Sequence, residues 1–121
     1  MAGLTNYTEE LVLDYILTLS PDYVAFYTDV PDDLGAGTEV SGGAYARQAV
    51  TFARSGSVLS NTSVITFPES TAPWGTIISA AIHDAVTGGT MLASGPLDAS
   101  KVVGTGETIT YPVGTLQIPI D

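Results

Sequence analysis

The chain has 121 residues, no cysteine, and three basic side chains against thirteen acidic ones, a net charge of −10 at pH 7. Disulfides and thiolate metal sites are excluded, and Arg47, Arg54 and Lys101 are too few to neutralise nucleic-acid phosphates or to hold an anionic membrane surface. The length suits one domain, residues 1–121, able to fold around a single core.

The elements follow in chain order. "NYTEELVLDYILTLSP" predicts the one helix, over residues 6–20. Asn6 or Thr8 serves as its cap, Asn6 and Glu9 stand at capping-box spacing, and Glu9 and Glu10 lie in the dipole-favoured first turn. Leu11, Val12, Tyr15, Ile16 and Leu19 form a broad apolar stripe expected to be buried, and Pro21 ends the helix. "YVAFY" (23–27) reads as a strand. Residues 28–43, "TDVPDDLGAGTEVSGG", carry no periodicity and form a long acidic loop.

From residue 45 the pattern is all β. "YARQAVTF" alternates, with Ala46, Val50 and Phe52 on one side and Tyr45, Arg47 and Thr51 on the other. "SVITF" (63–67) ends at Pro68, and "GTIISAAIHD" (75–84) is the most apolar run and reads as a central strand. "TMLASGPL", "KVV", "ETITYPV" and "TLQIPI" bring the count to seven or eight short strands, with Pro112 and Pro119 at edges or strand ends. Turn residues at roughly ten-residue spacing predict a mainly β fold: an antiparallel β-sandwich of jelly-roll or immunoglobulin-like type over 23–121, with one N-terminal helix.

No enzyme signature emerges. His83 is the only histidine, and Asp84 beside it points to the opposite face of a strand, so a strand-end histidine hydrogen-bonded to backbone is expected. Asp29, Asp32 and Asp33 crowd one loop, but their spacing does not match an EF-hand and no late glutamate completes a calcium site. Neither a metal nor a cofactor is expected. Trp74 in "APWGT" reads as a plug at the end of the core, since no further exposed aromatics make a sugar platform. The glycine pair at 42–43 has neither the following helix nor the lysine of a phosphate loop. Arg47 is expected at the surface or at a subunit boundary. There it would bridge to a carboxylate of another protomer or, as a surface pair, of its own chain.

"MAGLTNYTEELVLDYIL", "SGGAYARQAVTF", "SNTSVITFPESTAPWGTI", "IHDAVTGGTMLASGPL" and "GETITYPVGTLQIPID" occur here in one order. Together they resemble a family of small tailed-bacteriophage structural proteins, usually labelled tail-fibre or minor tail proteins. Some similar small proteins act as capsid decoration, or cement. The resemblance implies an N-terminal helix followed by a β-sandwich, and no catalytic residues. The one departure is the stretch between the helix and "SGG", which is compact, acidic and punctuated by proline. A virion component assembled in the bacterial cytoplasm is implied, not an enzyme, with no nucleic-acid or membrane partner. A cement protein on the outer head, as a homotrimer on the major capsid protein, is the first expectation. A tail-fibre or baseplate component engaged in host attachment is the second, and a carbohydrate-binding module a remote third. Arg47, Tyr45, Asp29, Asp32, Asp33 and Glu39 are the candidate partner contacts.

Overall fold

In the computed structural model, which describes residues 4–18, 22–32 and 34–119, Thr5 rather than Asn6 opens the helix. Its side chain accepts a hydrogen bond from the Thr8 N–H, and α1 runs over Asn6–Leu17. Residues 19 and 20, the end of the expected helix, and Pro21 lie outside the described residues. The apolar stripe is not the buried face. Leu13 and Glu9 are buried, while Leu11, Val12 and Tyr15 stand exposed. Ser57 donates to the Glu9 carboxylate, and Arg54 reaches Asp14 and Glu10, so the helix is tied down through its polar side chains.

Among the described residues nine strands follow: β1 Asp22–Tyr27, β2 Gln48–Val50, β3 Phe52–Ser55, β4 Val58–Asn61, β5 Ile65–Thr66, β6 Gly75–His83, β7 Met91–Val103, β8 Thr110–Tyr111 and β9 Gln117–Pro119. They pair antiparallel in three sheets, ordered β2-β1-β6-β7, β3-β4-β9 and β5-β8. The expected strand at 45–52 is in fact two. Chain direction breaks at Thr51, so β2 joins the large sheet and β3 the three-stranded one. β6 is interior, as its apolar run requires. β7 is an edge, and its Pro96 sits where no ladder donor is needed.

One core cluster draws on all three sheets, which is the packing of a β-sandwich. Val24, Phe26, Ile77 and Ile82 come from the large sheet, and Ile65 from β5, with Phe52, Tyr111 and Ile118 packed against them. Phe26 and Phe67 stack at its centre with ring centroids 4.3 Å apart. Both Ile77 and Ile82 face this core although their spacing is odd. The reason is a register break between Ile77 and Ser79, where β7 passes residues 97–100 without pairing them.

The second face of the large sheet carries Ala25, Tyr27 and Ala81. The expected acidic loop folds back beside β1. Thr28 N–H bonds Thr38 C=O, Val40 N–H bonds Phe26 C=O, and Glu39 bridges to Tyr27. Ser79 Oγ donates to the Asp29 carbonyl and pins the loop to β6.

Candidate functional site

The loop's return brings Glu39 to a cluster that "SGGAYAR" completes. Gly42, Gly43 and Ala44 all take positive φ, of 78°, 58° and 67°. Only glycine visits this region without strain, so the pair at 42–43 is a conformational device. The resulting reversal aims Tyr45 and Arg47 inward. Tyr45 Oη accepts the Phe26 N–H at 3.0 Å and donates to Glu39 Oε2 at 2.7 Å. It thereby satisfies a β1 donor where β2 has ended.

Arg47 is buried inside the protomer. Its Nε and Nη2 donate to the two Glu39 oxygens, each at 2.8 Å, as a bidentate pair. Nη1 donates to the carbonyls of Ala85 and Gly88, at 2.9 and 2.8 Å. The arginine therefore holds the 39–47 segment to the turn after β6. Its guanidinium is not at the surface, and Glu39 of its own chain is its carboxylate partner. Burial alone would raise the Glu39 pKa, but hydrogen bonds from Arg47 and Tyr45 outweigh it and hold the carboxyl below its ordinary value. Tyr45 is pushed up by burial and by the Glu39 carboxylate, and stays a neutral donor.

His83 lies beside this pair. Its Nε2 is 2.9 Å from Tyr27 Oη and the two rings stack, so the expected backbone partner is a tyrosine instead. Nδ1 is buried with no partner among the described residues. Burial first, then the Arg47 charge, lowers its pKa, so the ring is neutral at pH 7. Among the described residues no serine or carboxylate bonds to its open nitrogen. Asp84 is turned away and accepts the Thr90 N–H.

Of the remaining candidate contacts, Asp29 accepts the Thr38 N–H and Asp32 accepts those of Leu34 and Ala36. Their carboxylates cap the loop's own backbone. Asp33 lies outside the described residues. Among the described residues no three metal-ligating side chains converge. Trp74 is buried as the core plug it was expected to be, donating from Nε1 to the Gly43 carbonyl. Sequence reasoning missed Tyr27 and the Arg54–Asp14–Glu10 group, for which no local motif exists. A groove of ≈ 1000 Å³ runs between β7 and the β8–β9 region, with Asp98 and Lys101 as its charged residues and no catalytic grouping.

The cluster predicts acid sensitivity in two stages. As pH falls through 6.5, the unfolded state takes up a proton at His83 that the folded state resists, so stability is lost. Below the ordinary carboxylate value of 4.5, protonation of Glu39 removes a further share as pH falls through its lowered folded value. Asp22, raised by burial and by Asp84, works in the opposite direction in that lower range. Thermal melts against pH should show the upper stage in the wild-type chain and its loss in His83→Gln. An unchanged slope in the variant would assign that stage elsewhere.

Residues 3–119 match the family described as Podophage GP4 fiber I protein gp80. No curated protein sequence matches the chain.

Proposed function

We propose, for a chain that belongs to the Podophage GP4 fiber I protein gp80 family, a place in the tail fibre as a small structural module. Membership makes it a phage virion structural protein, and the match over residues 3–119 is the observation that carries the fibre reading. The physical features suit such a part. Arg47 and Glu39 satisfy each other within the protomer. Among the described residues their cluster contains no activated nucleophile, which supports a role without catalysis. The acidic composition disfavours contact with packaged DNA.

Head decoration, the reading that length and charge favour, suits the same body. The family description instead supports the fibre. Location decides between them. Gold-labelled antibody against this chain should mark the tail of intact particles. Quantitative mass spectrometry should give a copy number far below that of the major capsid protein. Labelling spread over the head, with copies in simple ratio to capsid subunits, would replace the fibre by decoration.

A further inference from the structure

α1 is apolar on the side that faces away from the body. Tyr7, Leu11 and Tyr15 recur every four residues and so share one face of the helix. They are 72%, 50% and 66% exposed, with Leu4 just ahead of the cap at 49% and Val12 alongside at 37%. The inward side holds Glu9 and Leu13. With roughly 250 Å² for a whole tyrosine, the five side chains offer on the order of 600 Å² of contiguous surface, at the top of the range for a patch on a monomer.

The geometry points to α1 as an interface between two copies of this chain, packed stripe to stripe. Two observations select a second copy as the occupant. First, the area approaches the ~800 Å² per partner that a standard interface buries, a gap the neighbouring surface would fill. Second, the stripe itself carries no charge, and both acidic residues on its flank are bonded within the chain: Arg54 bonds Asp14 at 2.6 Å and Glu10 at 3.2 Å, which leaves a single net negative charge at the edge of the face. The stripe therefore offers nothing to select a basic partner. Helices packed this way lie ~8–10 Å apart, close enough to bury both rows. The tyrosine hydroxyls remain at the rim, in water.

Sedimentation equilibrium on the purified chain, over micromolar to several hundred micromolar protein, tests this. Reversible self-association is expected. Leu11→Glu and Tyr7→Glu should each weaken it at least about tenfold, equivalent to ~1.4 kcal/mol. Leu34→Glu, in a loop position 93% exposed, should leave it unchanged. The substituted side chains are already half exposed or more, so far-UV circular dichroism and melting of each variant's monomer should stay as in the wild type. A chain that is monomeric throughout the range overturns the inference, as does association indifferent to Leu11→Glu. So does a stripe protected only within assembled particles, which would assign the face to another virion protein. The readout is in solution, so it stands or falls separately from the chain's position on the phage.

Discussion

Replacing Arg47 with alanine is expected to cost about 3–5 kcal/mol, the range for breaking a buried ion pair by removing one partner. The arginine side chain is 7% exposed and Glu39 26%, which places the loss toward the lower end. Three groups lose their partner at once: the Glu39 carboxylate and the carbonyls of Ala85 and Gly88. Tyr45 still donates to Glu39, so part of the desolvated charge stays compensated. Against a total of about 5–15 kcal/mol for a domain, the change is large enough to unfold a substantial fraction of the protein. Lysine at 47 keeps the charge but not the planar fork, and should fall between. Urea denaturation of Arg47→Ala, Glu39→Gln and the double variant gives the coupling. It should exceed the ~1 kcal/mol ceiling of exposed pairs. A single-variant loss below that ceiling would mean that the pair is energetically a surface pair despite its burial.

That outcome bears on how much the sequence can disclose. Glu39, Tyr45 and Arg47 were all visible as candidates, and the structure brings them together. Their direction was not visible. Period-two alternation put Arg47 on the face of Thr51, but three consecutive left-handed residues turn the chain just before it, and a sheet change follows at Thr51. Periodicity fails in the same way at β6, where a register break reverses the pleat between Ile77 and Ser79. The β3–β4 hairpin at 52–61 went unseen because its four-residue strands are too short to show a pattern. The helix was legible in place but not in orientation. Apolar side chains lie on both sides of it, and only the packing of Leu13 and the Glu9–Ser57 bond select the inner one. The family was legible from ordered stretches along the chain, and the match over residues 3–119 agrees. Head or tail was not, because neither position demands a reactive residue that composition could reveal.

Gly42 and Gly43 allow the steric and conformational parts of one turn to be separated. Both have positive φ, so alanine at either should cost about 1–2 kcal/mol for the left-handed conformation alone. A Cβ at Gly42 meets nothing within 4 Å. At Gly43 it would lie 2.7 Å from the Ala72 carbonyl oxygen and 2.9 Å from Trp74 Nε1. Neither can easily withdraw. Ala72 is backbone, and the indole is held by its bond to the Gly43 carbonyl and by edge contacts with Tyr45 and Phe67. Gly43→Ala should therefore lose about 1–3 kcal/mol more than Gly42→Ala, the usual cost of overpacking. Trp74→Phe removes one of the two obstructions and vacates volume, while Thr71 N–H continues to satisfy the Gly43 carbonyl. In that background the penalty of Gly43→Ala should shrink without vanishing, because the Ala72 oxygen and the positive φ remain. Equal losses at 42 and 43 would mean that the turn shifts to admit a methyl group. Tyr45 and Arg47 would then be aimed by the glycines' conformation alone, with no contribution from the close approach of Trp74.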